Sequence, residues 1–144
     1  MGTGMEETAQ LTLALKYISW GKDITLLTDA RFSGVSTGAC VGHVGPEALS
    51  GGPIGKVRDG DTIQVIIDRN KLEGSIDLIG ENEKRFSPLE GIDILASRSS
   101  IENLKPDSQL PEDSRLWAAL QNASGGTWGG CVFDVDSIVD KLSS

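Results

Sequence analysis

The hydrophobic pattern changes period twice along the chain. Around residues 6–18, EETAQLTLALKYI, apolar side chains return at Met5, Ala9, Leu13 and Tyr17, the i, i+4 spacing that predicts one apolar stripe on a helix. Glu6 and Glu7 fall in its first turn, where the helix dipole favours negative charge. WGKD ends it, with Gly21 as the expected C-terminal cap. ITLLT, residues 24–28, is a short apolar run with β-branched ends and predicts a strand buried on both faces. From Gly52 the period becomes two. PIGKVRDGDTIQVIIDRNKLEGSIDLI alternates apolar and polar residues, broken at Asp59-Gly60 and Arg69-Asn70, and predicts a meander or part of a small barrel. ENEKRFSPLEG reads as a polar loop and IDILASR as a further strand. Residues 102–114, with two prolines and many charges, read as a linker-like crossing. RLWAALQNA is a short amphipathic helix entered through Asp113 or Ser114, and DVDSIVDKL a closing helix. The predicted class is α+β, a β-rich core flanked by short helices, in one domain spanning 1–144.

Between the first strand and the alternating region lies TDARFSGVSTGACVGHVGPEALSGGPIG, residues 28–55, which holds seven of the chain's 18 glycines. A short helix is expected from Ser33, because Ser33, Ser36 and Thr37 are good caps, and a second helical turn at GPEAL with Pro46 at its start. Four named motifs fail on this segment. The glycines of GACVGHVG are spaced GxxxGxxG rather than GxGxxG, with no acidic residue ending a second strand. GGPIGKV places Val57 where a P-loop needs a hydroxyl. A nucleophile elbow needs glycines where Arg31 and Val35 stand, and His43, the one histidine, has no evident acid partner. Metal-ligand clusters are missing too. What remains is a serine after a strand end, at an expected helix N-terminus, with glycines that let another group approach the backbone. From the residues alone Ser33 is a cap or turn residue, or a group whose alkoxide the peptide dipoles support.

Composition narrows the classes. The chain is 38% hydrophobic and 24% charged, with a formal net charge of −8. No basic stripe exists, which argues against nucleic acid and against an anionic membrane surface. Cys40 and Cys131 make neither a disulfide framework nor a CxxC site and are expected as buried or half-buried free thiols. No apolar run approaches the ~20 residues of a membrane span, and no basic-then-apolar leader opens the chain, so a cytoplasmic location is expected. A length of 144 residues allows a single hydrophobic core.

LLTDARFSGVSTGACVGHVGPEALSGGPIGKVRDGDTIQV resembles the C-terminal domain signature of the dihydroxy-acid dehydratase / phosphogluconate dehydratase family: T-D-[GA]-R-[FM]-S-G, then G-H-[VI]-x-P-E-A, then G-G-P-[IL]-x-x-[VL]-R-D-G-D. MGTGMEE resembles the Gly-Met-x-Glu segment of the same enzymes, and RLWAALQNASGGTWGGCVFDVDSIV the tail of the bacterial aldonate dehydratases of D-xylonate type. The resemblance implies a hydro-lyase that converts a sugar acid or 2,3-dihydroxy acid to a 2-keto-3-deoxy acid, with an iron-sulfur cluster and Mg²⁺ as cofactors. It implies a β-barrel-like swivelling domain with flanking short helices, closing on a larger N-terminal domain that holds the cluster ligands. No iron-sulfur ligand is then expected in this chain. The serine base of the family falls on Ser33 and its magnesium-binding carboxylate on Glu7. Arg31, Gly34, Ser36 and Thr37 are the expected substrate contacts, with Arg31 on the substrate carboxylate. Ala30 replaces the usual glycine, and Val35 stands where related enzymes place Thr or Gly. The chain is expected to be a detached C-terminal domain, inactive alone, from an enzyme that is homo-oligomeric at full length. Two other classes stay open: a non-catalytic ligand-binding module, and a small subunit acting in trans with a cluster-bearing partner. Asp29 and Arg31 are also open to reading as a local ion pair, His43 as a satisfied structural histidine, and SGGTWGGC as a tight loop or a cover over the sugar acid.

Overall fold

The computed structural model describes residues 7–126 and 132–144. In chain order it contains β1 (Glu7–Thr8), α1 (Gln10–Lys16), β2 (Thr25–Leu27), β3 (Arg31–Phe32), β4 (Ala39–Val41), β5 (Asp61–Asp68), β6 (Glu73–Glu81), β7 (Lys84–Arg85), α2 (Pro88–Ser97), α3 (Asp113–Ala123) and α4 (Val135–Ser143). Short 3-10 turns occupy Gly21–Asp23, Ala48–Ser50 and Pro53–Lys56. Helix and sheet are mixed, as α+β requires. The strands form three separate open sheets, ordered β1-β3, β2-β4 and β5-β6-β7, so the barrel-like closure expected above is not what forms.

The alternating region forms the longest ladder among the described residues. β5 and β6 pair antiparallel from Asp61↔Glu81 to Asp68↔Glu73, with a register shift between Thr62 and Ile63. At the tip Asp68 Oδ1 accepts from the N–H groups of Asn70 (2.9 Å) and Lys71 (3.0 Å), an Asx turn at the point where the sequence breaks its period. IDILASR is helix rather than strand. Ser87 opens α2 with a capping box: its side chain accepts from Glu90 N–H, and the Glu90 carboxylate accepts from Ser87 N–H. The two hydrogen bonds from Ser87 hold the Glu90 carboxyl below its usual range. Gly91, Ile94, Leu95 and Arg98 form the inward face at helical spacing. Gly91 lets the helix lie directly on β6, because a Cβ there would collide with the Leu78 carbonyl. Leu78, 3% exposed, is the one buried large apolar side chain among the described residues.

An ion pair locks this unit. Arg98 meets Asp61 at 2.6 Å and 2.9 Å, and Arg58 N–H donates to Asp61 at 2.8 Å. Arg98 also donates to the Lys56 carbonyl and approaches Glu81 at 3.4 Å. The Asp61 side chain has no exposed area. The Arg98 hydrogen bond pulls its carboxyl below the usual range against the opposing effect of burial, and Asp61 in turn raises Arg98. The expected linker is pinned at its near end, since Ile101 N–H donates to Gly55 O at 2.8 Å. α3 begins at Asp113 without a side-chain cap, whereas Asp134 caps α4 by accepting from Ser137 N–H.

The N-terminal expectations fare differently. Glu7 lies in a strand, α1 starts at Gln10, and its first turn holds no acidic residue. Leu13 and Tyr17 are exposed, and the buried residue of α1 is Thr12, whose hydroxyl donates to Ala9 O. Gly21 does not cap this helix; it opens a 3-10 turn packed so closely on the Leu15 carbonyl that a Cβ would collide with it. β2 is half-buried rather than covered on both faces, with β4 as its one neighbour. Among the described residues no single large core forms. The chain exposes 10304 Å², where a self-contained monomer of this length presents roughly 7,000 Å². No helix among the described residues is long and apolar enough to cross a membrane.

Candidate active site

The glycine-rich segment is held by backbone bonds to its own neighbours. β2 runs parallel to β4 in the register Thr25↔Ala39, Leu26↔Cys40, Leu27↔Val41. The ladder is extended by Thr28 N–H to Val41 O and Val44 N–H to Thr28 O. Past β2, Thr28 Oγ1 accepts from Ala30 N–H at 3.1 Å. Asp29 Oδ2 accepts from Ala48 N–H at 2.8 Å, which docks the Ala48–Ser50 turn onto the strand end. Gly42 lies close against Ala30 and Phe32, where a Cβ would come within 3.3 Å of the Ala30 carbonyl and 3.4 Å of the Phe32 ring, a tight fit that its neighbours would have to give way to. His43 is exposed and in the left-handed region at φ 55°, and it contributes through its backbone, donating to Ala30 O at 2.7 Å.

β3 then pairs in parallel with β1, in the register Glu7↔Arg31 and Thr8↔Phe32. Residues 24 positions apart in sequence are thus neighbours across a ladder, and Ser33 follows directly at the strand's end. Ser33 is half-buried, and among the described residues its hydroxyl has no hydrogen-bond partner. No helix begins there. Ser33 to Ser36 form a turn closed by Ser36 N–H to Ser33 O at 2.9 Å, and no α-helix lies between Lys16 and Pro88. The expected support from a helix N-terminus is therefore absent. Glycine and β-branched residues in VSTG favour a turn over a first helical turn.

Gly34 is exposed, and a Cβ on it would meet nothing within 4 Å. The chain itself does not need a glycine there, which leaves open space beside Ser33. Val35 and Thr37 are exposed. Ser36 Oγ–H donates to Thr8 O at 2.8 Å, tying the turn to β1. The structure therefore brings Glu7, Arg31, Ser33 and Ser36 to one place, with Gly34 and Thr37 on the adjoining turn. A mostly apolar cavity of about 520 Å³ lies elsewhere, between α1 and the β2-β4 ladder, and shares Thr37 and Cys40 with this loop.

The metal-ligating capacity is small. Among the described residues no three His, Cys, Asp or Glu side chains gather as a metal site. Cys40 is a half-buried free thiol whose Sγ donates to Thr37 O, and Cys131 and Trp128 lie outside the described residues, as does most of SGGTWGGC. Two cysteines do not fit a cluster that takes three or four thiolates. Mg²⁺ asks less of the protein, since it commonly takes one or two carboxylates and fills its octahedron with water and substrate oxygens, and the sequence supplies one carboxylate at the β1 position, Glu7. The sequence alone did not disclose the Ser36–Thr8 and Asp29–Ala48 bonds. An Asp after a strand end is a turn signal that points to the second; nothing local points to the first, which spans 28 residues.

Residues 1–106 match the family described as dihydroxy-acid/6-phosphogluconate dehydratase C-terminal. The chain is 58% identical over 143 residues to the D-xylonate dehydratase YagF of Escherichia coli (strain K12), covering 99% of this chain and 22% of that protein. To the D-xylonate dehydratase YjhG of the same organism it is 58% identical over 139 residues, 95% of this chain and 21% of that protein. Dihydroxy-acid dehydratase 2 of Corynebacterium efficiens is 40% identical over 119 residues, 83% of this chain and 18% of that protein. The chain spans about a fifth of the length of these relatives.

Proposed function

This chain belongs to the dihydroxy-acid/6-phosphogluconate dehydratase C-terminal family, and we propose that it supplies the base and one metal-binding carboxylate to an enzyme that dehydrates a sugar acid of D-xylonate type. The observation that carries this reading is the β1-β3 register, which sets Glu7 against Arg31 with Ser33 directly beyond. The choice of sugar acid rests on the relatives: the 58% identity to two D-xylonate dehydratases runs over nearly the whole chain, past the family match that ends at residue 106.

In this reading the Ser33 alkoxide takes the C2 proton of a 2,3-dihydroxy acid. The electron pair of that C–H bond forms the C2–C3 double bond, and the C3–O bond breaks; the leaving hydroxide takes up the proton that Ser33 gained and departs as water, which restores the alkoxide. The resulting enol tautomerises, with a proton added at C3, to the 2-keto-3-deoxy acid. Arg31 holds the substrate carboxylate, for which a guanidinium offers paired donors. The open space at Gly34 admits the reacting carbons, and the exposed Thr37 hydroxyl meets a sugar hydroxyl. A serine hydroxyl is a weak base until its alkoxide is stabilised. With no helix N-terminus at hand, that support falls, among this chain's own residues, to Arg31. Glu7 would hold Mg²⁺, which would supply positive charge beside the substrate oxygens. The iron-sulfur cluster finds no ligand set here, so its ligands belong to a larger N-terminal part of the enzyme, onto which this domain closes. The exposed apolar side chains, such as Tyr17, Ile67 and Leu72, suit such a covered surface.

The test uses the full-length protein, assayed on D-xylonate, D-gluconate and dihydroxyisovalerate, with D-xylonate expected to turn over fastest. Ser33→Ala should lower turnover by about 10²–10⁴-fold with iron and sulfide content unchanged; turnover within ~10-fold of the parent rejects the base assignment. Glu7→Gln should weaken the Mg²⁺ dependence of the rate, and an unaltered Mg²⁺ titration rejects that ligand.

A further inference from the structure

We infer that Ser36 is a positioning residue: it holds the Ser33 turn in register with the strand that carries Glu7, and does not bind substrate. The inference rests on the function proposed above. A hydroxyl has one proton to give, and that of Ser36 goes to Thr8 O at 2.8 Å, in a part-buried contact. The same residue donates its N–H to Ser33 O at 2.9 Å. Ser36 thus bonds back to the serine and across to β1 at once.

The ladder it reinforces is weak. β1 and β3 are two residues each and form a sheet of two strands. Such a pair is not stable in isolation. Any slip of the turn against β1 changes the distance between Ser33 and the β1 backbone at Glu7 and Thr8, while Arg31, inside the ladder, moves less. Loss of the tether therefore acts on the chemical step more than on substrate capture, because a misplacement of about 1 Å at reacting groups costs on the order of 10²-fold in rate. A substrate contact at Ser36 behaves in the opposite way, raising KM with kcat preserved.

The experiment compares Ser36→Ala and Ser36→Thr in the full-length protein, on D-xylonate, with amide hydrogen exchange read across residues 33–37. For Ser36→Ala, kcat should fall about 10- to 100-fold with KM within about 3-fold of the parent. Exchange at the turn should rise about 5-fold, the change expected for one hydrogen bond. Ser36→Thr keeps the hydroxyl and should restore both readings to near the parent. A raised KM with unchanged kcat overturns the inference in favour of substrate binding, and an unchanged kcat overturns the positioning role whatever exchange shows. Unchanged exchange in Ser36→Ala overturns the tether. If Ser33→Ala retains turnover, the proposed base is wrong, and the exchange measurement still decides whether Ser36 ties the turn to β1.

Discussion

Residues 57–98 and residues 7–52 solve the same problem of local order by different means. The first holds itself together. Its hairpin is long and antiparallel, its helix carries a capping box and packs on Leu78, and the Asp61–Arg98 pair closes it. The second is built around two parallel ladders of two and three residues, tied to their surroundings by isolated hydrogen bonds at Thr28, Asp29, Ser36 and His43. Parallel strands are ordinarily buried on both faces, yet these are half-exposed. The candidate catalytic groups all lie in the less supported region. The proposed function accounts for this: a serine that acts as base at a domain boundary has to meet substrate and a second domain, and cannot also be enclosed by its own chain. The stable region then serves as the frame from which the weaker one is presented.

The largest structural effect should come from breaking the frame. Asp61→Ala leaves the Arg98 guanidinium, 13% exposed, without its main partner. The cost should be about 3 kcal/mol in the stability of the hairpin and α2, as for other buried pairs that lose one member. Hydrogen exchange at the Phe86 and Arg98 amides, which bond Ile79 O and Ile94 O, reads this directly in the full-length protein. pH gives a second reading. The folded carboxyl of Asp61 lies below its unfolded value, chiefly through the Arg98 hydrogen bond. Its contribution is therefore fully present above about pH 4 and is lost as pH falls through the lowered folded value. Protection in this region should decline below about pH 4 in the parent, and an Asp61→Asn variant should lack that component. The same acid profile in both proteins would remove Asp61 as the lock and blur the contrast between the two regions.

The two regions also differ in how far they could be read from sequence. The hairpin was legible because alternation and turn chemistry are local: Asp59-Gly60 and Arg69-Asn70 mark its ends, and Gly60 does take φ 89°. α2 carried a local signal as well, Ser87-x-x-Glu90 before residues spaced 91, 94, 95, 98, but a short apolar run in IDILA imitates a strand. The stripe period of α1 extends over the neighbours of Glu7 and predicts helix there, whereas its strand exists only through pairing with Arg31. Ser33 is legible as a strand end followed by glycine, and the helix expected after it does not form: the Ser36 hydroxyl bonds Thr8 O, and the glycine and β-branched residues of VSTG favour a turn. Parallel ladders have no local signature, so the assembly of the candidate site came from topology and the family from residue spacing.

A smaller effect tests the weak region from within. Asp29 Oδ2 is the side-chain link between the β2-β3 strand end and the Ala48–Ser50 turn. Asp29→Ala should cost about 1 kcal/mol locally, which is roughly a 5-fold faster exchange of the Ala48 amide. Asp29→Asn keeps an oxygen acceptor at the same place and should leave exchange near the parent's. Because this turn touches the segment four residues before Ser33, a modest fall in turnover should accompany the faster exchange, smaller than that of Ser36→Ala. The informative failure is an Ala48 amide that stays protected in Asp29→Ala. The turn would then be held by surfaces outside residues 7–52, and the apparent weakness of this region would belong to the chain alone and vanish once its exposed apolar faces are covered.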